Sequence, residues 1–535
     1  MFSFAELRPG IMAIRPISCN IVFLQIFSEA QFNLTTSQAK LPNPPRVVGN
    51  WPRIADTWRI VTGGIVMAET RQSKVDSNSP DFRRREADAR GAWDAYQSDG
   101  ERPWSLREAS HLYRRAAFGA TWGQLQQALT DGPQAAVTRV VRPPGEIAEF
   151  QRAFDEYDVA AGSSGSDDGP RGWWLRRMIE TSHPLLEKMT LFWHSHFGIS
   201  RARVTTGRLM VQLIHTLRGH ALGNYGDMLA AVLHEPAVFL GLDADSHRKS
   251  LPNDRVARQL LTQYGPGPEA FDEQDVRETS RALTGWFVLR DELRFVEREH
   301  DTGVKRILGQ SGPWTTDDVP RIVLQHPATA RNIVRRVYRW LIAETGEPET
   351  PLLEPLAASF RRDYDIGRLV ETMLRSNWFF SPQAYRQRVK CPVELALSMI
   401  RPLEGSVPTL RLGETLARLG QDLLRPPTVT GWLGGRYWLN PAAMRERVQL
   451  AMALLTPGGA HGAGLNPLAL LQRHGAAEPA AAANWLIDML LGGDVPVEVQ
   501  ARLVQRAAEA STGDAPGRLR ELAQDIATLP EFQLA

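Results

Sequence analysis

The chain has 535 residues, a formal net charge of +2, 43% hydrophobic and 23% charged residues. That length implies one large core with appendages, or two to three domains, and near-neutrality excludes a global electrostatic drive toward nucleic acid or acidic membranes. Two cysteines, Cys19 and Cys391, stand far apart and outside any metal-ligand spacing, which argues against a disulfide framework and a cysteine-ligated zinc.

No run of 18 apolar residues occurs, so no spanning helix is expected. The best N-terminal apolar run, Ile21 to Phe27, is short, contains Gln25 and ends without a small-residue cleavage site. It makes a poor signal peptide, so the expected location is cytoplasmic, with export as the alternative. Almost all basic residues are arginine; a GC-rich genome accounts for this, and an anion-binding surface is the alternative.

In chain order, residues 1–66 lack sustained helical periodicity. They read as an upstream mis-start before Met67, or as a disordered extension. Residues 67–104 form a polar arm with one helix predicted around Phe82–Gln97. From Ser105 the pattern changes: Ser105 can cap a helix whose stripe is Leu106, Ala109, Leu112, Ala116 and Ala117. A second helix starts at Thr121 and ends near Asp131-Gly132. Residues 161–172 read as a loop by composition. Pro184 suits a first helical turn in the segment ending Phe192-Trp193-His194-Ser195-His196-Phe197. Helical spacing recurs over 209–222, 225–233, 254–264, 275–286, 316–325, 328–343, 366–375 and 392–403. Residues 474–485 and 497–526 are helical again, and Trp286–Phe295 is the one hairpin candidate. The expected fold is all-α: a large multi-helix domain over 105–455 with at most one short β-hairpin, followed by a C-terminal helical extension over 456–535.

Seven of the twelve histidines fall between Trp173 and Gly267. His194 and His196 are two residues apart, which on a regular helix turns their side chains about 200° from each other. They could share one ion only if the helix ends at Phe197-Gly198, where glycine lets the chain turn. Otherwise one packs among Phe192, Trp193 and Phe197. His300-Asp301-Thr302-Gly303 sits on a loop after the hairpin, where one side chain can face a cleft while the other caps the turn. His326 can cap a helix carrying Arg331, Arg335, Arg336 and Arg339, a row that is solvated, paired, or an anion site. Asp243, Asp245 and Asp254 could bind calcium or magnesium, but the spacing is not that of an EF-hand, and His247, Arg248 and Lys249 oppose a cation. Asn253 reads as a helix cap. Trp432, Tyr437 and Trp438 in GWLGGRYWLN form either a sugar-stacking platform or, as preferred, a core plug. A nucleophile elbow, P-loop, dinucleotide fingerprint and zincin helix are all absent from the sequence.

Several segments together resemble the bacterial "domain of unknown function 1800" family over about residues 105–455. They include HLYRRAAFG (111–119), EKMTLFWHSHF (187–197), HALGNYGDML (220–229), NDRVARQLLTQYG (253–265), HDTGVKRILG (300–309) and LGQDLLRPPTVTGWLGGRYWLN (419–440). The resemblance implies an all-helical fold, export of many members, and a protein partner of the "domain of unknown function 1501" family, which resembles sulfatases and alkaline phosphatases. It carries no activity. The family pattern reads close to NENFARELMEL; two of its carboxylates are read as amides here, Gln259 and Gln263, implying loss of charge on one helix face.

Two functional readings follow. The preferred one is a non-catalytic binding or accessory protein acting beside an enzyme partner. The other is a metal-dependent hydrolase, in which His194, His196 and His300 hold a divalent cation that activates water and Asp301 is a ligand or orients one.

Overall fold

Ser105 starts the first helix, Leu106–Ala116, with a reciprocal cap: its hydroxyl accepts from Arg107 N, and the Glu108 carboxylate accepts from Ser105 N. In the computed structural model, residues 91–535 are described apart from 146, 164, 460, 463, 464, 477 and 510–514. The expectations for residues 1–66 and for 67–90 lie outside the described residues. Residues 91–97, expected as the end of a helix, instead form a turn and a single bridge between Ala95 and Ser376.

The all-α expectation holds, and the helix starts read from capping residues and Pro184 fall where they were placed. Thr121 caps Trp122–Asp131, Pro184 opens Pro184–Phe197, Asn253 caps Asp254–Gln259 and His326 caps Pro327–Leu341. The 161–172 loop is much shorter than composition suggests, because helix runs to Ser163 and resumes at Asp168. The segment over 254–264 is not one regular helix: it passes into a π turn over Leu260–Tyr264. That wider turn lets Gln263 and Tyr264 donate to the carbonyls of His196 and Phe197, at 3.1 and 2.6 Å.

Two antiparallel hairpins interrupt the helices where one was expected. The first, β1 (Trp286–Leu289) with β2 (Glu292–Phe295), falls where alternation placed it. The second, β3 (Lys305–Ile307) with β4 (Gln310–Gly312), has strands of three residues, too short for a period-2 signal. Its turn, Leu308-Gly309, has positive φ at both residues, the geometry that suits right-twisted two-residue hairpins.

The Pro184–Phe197 helix is buried along nearly its whole length. It packs against Leu106–Ala116, Asp168–Glu180, Gly207–His220 and the π turn. It therefore carries polar residues inward, and each must find a partner. Glu187 accepts from Trp174 Nε1 at 3.0 Å, Arg177 Nε at 3.0 Å and Arg218 Nε at 2.7 Å, joining three helices. Lys188, next in sequence, points elsewhere. Its ammonium donates to Ala117 O at 2.8 Å and pairs with Glu394 at 2.5 Å on the Pro392–Ile400 helix.

The C-terminal helices share this apolar core: Leu486 and Ile487 belong to the same buried cluster as Leu112 and Leu191. The chain end is stitched to residues 388–390, with Lys390 N donating to Gln533 O and Ala535 N to Arg388 O. Among the described residues, no helix is long and apolar enough to cross a membrane.

Glu187→Gln leaves two guanidinium groups buried without an anion and is expected to cost about 3–5 kcal/mol in chemical denaturation. Burial alone would raise the Glu187 pKa, but Arg218 and Arg177 hold it below its ordinary 4.5. Its stabilisation is thus present above about pH 4.5 and is lost as pH falls below that value. Acid should weaken the wild type more steeply than Glu187→Gln; equal slopes would contradict the ion cluster.

Candidate functional site

The Pro184–Phe197 helix keeps regular geometry through His196 and ends only at Gly198, in the left-handed region with φ 65°. The two imidazoles therefore enter different surroundings. His194 lies between the Trp174 and Trp432 rings, at 5.4 and 5.6 Å between centroids. His196 is caged by Phe192, Trp193, Phe197, Tyr225 and Tyr264. Neither ring has a hydrogen-bond partner for either nitrogen among the described residues. Burial pushes His194 down to about 3. Burial, with a smaller push from Arg336, drives His196 well below its ordinary value. Both are neutral, sealed rings at neutral pH.

His300 and Asp301 diverge, as adjacent residues in extended chain must. His300 is buried against Phe295, with Nδ1 2.9 Å from Thr284 O. Asp301 is gripped by Arg281 at 2.8 and 3.0 Å and accepts from Gly303 N. The hydrogen bonds from Arg281 hold its carboxyl below the usual range despite partial burial. Among the described residues, the structure gathers the ligand atoms of three His, Cys, Asp or Glu side chains within 4.8 Å of one another only at Asp155, Asp158 and His215. His194, His196 and His300 do not form such a group.

The remaining charged candidates are largely neutralised. Asp243 pairs with Arg203 and Arg255, and Asp254 with Arg258. His326 Nδ1 accepts from Ala328 N as a cap. Behind it, Arg331 pairs with Glu354, Arg335 and Arg339 with Glu347, and Arg336 donates to Gln263.

Gln259 and Gln263 have a direct physical role. Gln259 Nε2 donates to Val429 O at 2.7 Å; Gln263 Nε2 donates to His196 O while its Oε1 accepts from Arg336 at 2.6 Å. An ionised carboxylate has no proton to donate to either carbonyl. Matched residue by residue, the second glutamate of the NENFARELMEL pattern falls on Gln259, and the third on Thr262, whose hydroxyl donates to Arg258 O, and not on Gln263.

Gln259 thereby ties down the irregular loop between Arg425 and Asn440. Gly431 lies so close to Ser195 that any Cβ would strike its carbonyl oxygen. Trp432 N donates to Ser195 Oγ at 3.3 Å, and Gly435 N to Glu344 at 3.0 Å. The fixed loop forms one wall of a cleft of about 500 Å³, lined by Trp432, Leu433, Tyr437, Trp438, Arg418, Arg445 and Glu446 among others. Of the aromatic residues read as a core plug, only Trp438 is one, at 7% exposed; Tyr437 is 56% exposed and Trp432 is half-buried. Trp432 both lines the cleft and stands beside the His194 ring. Arg418, Arg445 and Glu446 were not singled out from the sequence, because exposed charges at helix ends carry no distinguishing local pattern. The clustered glycines and aromatics were the available signal.

These features define an all-helical protein with a rigid aromatic cleft beside sealed histidines. The model of the family "Protein of unknown function (DUF1800)" matches residues 111–534, beyond the 455 boundary of the sequence resemblance, and the chain belongs to that family. No curated protein matches the chain. No solved structure matches it.

Two measurements check the site. Gln259→Glu sets an acceptor against Val429 O, with an expected loss of about 1–3 kcal/mol and faster trypsin cleavage at Arg436, exposed in the same loop and followed by Tyr437; unchanged stability and cleavage would remove the anchoring role. For His194, the fold accepts the neutral ring, so unfolding takes up a proton between the folded value of about 3 and the ordinary 6.5. Its contribution is full above pH 6.5 and falls by about 2 kcal/mol at pH 5. His194→Leu should flatten the stability slope between pH 7 and 5 by that amount; an unchanged slope would show that the ring is not sealed.

Proposed function

We propose that this chain is a non-catalytic binding or accessory protein that recognises its ligand or partner at the Trp432–Tyr437 cleft. The observation that carries this reading is the pairing of a fixed, open aromatic cleft with histidines held neutral and apart from it. The cleft volume of about 500 Å³ falls in the range of ligand sites, and apolar walls with a few charged groups are the usual means of orientation there. Exposed Val429, Leu433 and Tyr437 give the rim the apolar and aromatic character of a recognition surface.

The partner in this reading is a protein of the "domain of unknown function 1501" family, with the catalytic work done by that sulfatase- or phosphatase-like chain. Its support is the family resemblance. The setting in this reading is cytoplasmic, where a free, buried thiol such as Cys391 stays reduced.

A second reading, metal-dependent hydrolysis, draws on Asp155, Asp158 and His215. Their donor atoms lie within 4.8 Å of one another, and the Trp173 ring stands 5.4 Å from that of His215. Nothing gathers the donors of His194, His196, His300 and Asp301 in the same way.

Co-expression with a 1501-family protein is the decisive experiment. The accessory reading expects a stable complex, weakened at least tenfold by Trp432→Ala or Tyr437→Ala, and a purified chain with substoichiometric metal. A clean monomer with no association would contradict it. Stoichiometric metal that disappears in His215→Ala would favour the hydrolase instead.

A further inference from the structure

The buried charges on the other side of the Pro184–Phe197 helix do not balance. Lys390 is 2% exposed. Its ammonium donates to one side-chain oxygen, Ser398 Oγ at 3.2 Å, and lies 3.7 Å over the Phe532 ring. Ser398 Oγ itself donates to Leu395 O, so it accepts from Lys390 but brings no charge. Arg114, 7% exposed, has its Nε and Nη2 sealed from solvent with no hydrogen-bond partner among the described residues.

The carboxylates nearby are committed to other cations. Glu394 is held by Lys188 and Arg388, Asp494 by Arg386 and Arg107, and Glu108 by Arg107. Glu344 accepts from the backbone at Val389 and Gly435. Among the described residues Glu531 is not in an ion pair and its Oε2 is buried without a hydrogen-bond partner, but it does not line the space beside Lys390. Arg115 and Arg447, also buried, are satisfied in part by carbonyl oxygens and add further positive charge.

Arg114 and Lys390 both line a largely enclosed cavity of about 10 Å³, together with Ser110, Tyr113 and Ser398. We propose that this cavity is a halide site, in which one chloride ion is held between the Arg114 guanidinium and the Lys390 ammonium. Size limits the ion: the space is close to that of a single water, so of the common anions a monatomic halide comes nearest to fitting, while sulfate and phosphate are too large. Chemistry favours an anion over water. Ammonium and guanidinium groups are donors only, and a water there would need acceptors for its own two protons. Burial, with a further push from Arg114, drives the Lys390 pKa well below its ordinary value; an anion in contact with both groups holds the ammonium charged and removes the cost of burying it. The site lies apart from the Trp432 cleft and does not depend on the accessory reading.

The test uses the full chain and bromide as the probe. Crystals grown in sodium bromide should show one anomalous peak in the cavity between Arg114 and Lys390. In solution, Tm at constant ionic strength should rise by about 1 to 2 °C for each tenfold replacement of gluconate by chloride above the dissociation constant. Lys390→Met should abolish the peak and the chloride dependence, and Arg114→Met serves as an independent second variant if the first fails to fold. Bromide found only at surface arginines, or an identical Tm in chloride and gluconate, would overturn the halide site and leave the cavity to water.

Discussion

Two adjacent and opposite charges inside one buried helix organise this protein. Glu187 and Lys188 differ by one position, so a helical turn of about 100° sends them to opposite sides of the core. Glu187 gathers Trp174, Arg177 and Arg218 from two flanking helices. Lys188 reaches the end of the first helix and Glu394. Removing Glu187 leaves two buried guanidinium groups without an anion, a far larger penalty than losing a surface ion pair, whereas Glu394 keeps Arg388 if Lys188 is lost. The same helix ends at Gly198, which lets the aromatic loop pass against its last turn.

What the sequence made legible was mostly local. Capping residues and prolines announced helix starts at Ser105, Thr121, Pro184 and Asn253, because a cap is decided by neighbours within three residues. Alternation found the first hairpin, while the second, with three residues per strand, had no room for a pattern. The reading of Asp254–Tyr264 as one regular helix missed the π turn, whose wider geometry serves carbonyls more than sixty residues away at His196 and Phe197. The partner of Asp301 was equally invisible: Arg281 lies on a different element, and no spacing rule joins them.

Two imidazoles in an aromatic run read either as ligands or as packing groups, and on this buried helix both lie among aromatic rings without a hydrogen-bond partner among the described residues. The aromatic and glycine-rich loop looked like core filler and instead forms the rim of an open cleft, since several of its backbone groups are held by Gln259, Ser195 and Glu344. The amides of Gln259 and Gln263 fit this arrangement because they donate where a carboxylate would repel.

The account rests on His194 and His196 being neutral and closed to solvent, so that recognition falls to the cleft on the far side of Trp432. The most direct measurement is an NMR titration of the imidazole nitrogens in histidine-labelled protein between pH 8 and pH 5. Both rings should keep the shifts of a neutral imidazole throughout, while exposed histidines titrate. A midpoint near 6.5 for either ring, or its movement on adding zinc, would contradict the sealed arrangement and return the segment to the list of reactive groups.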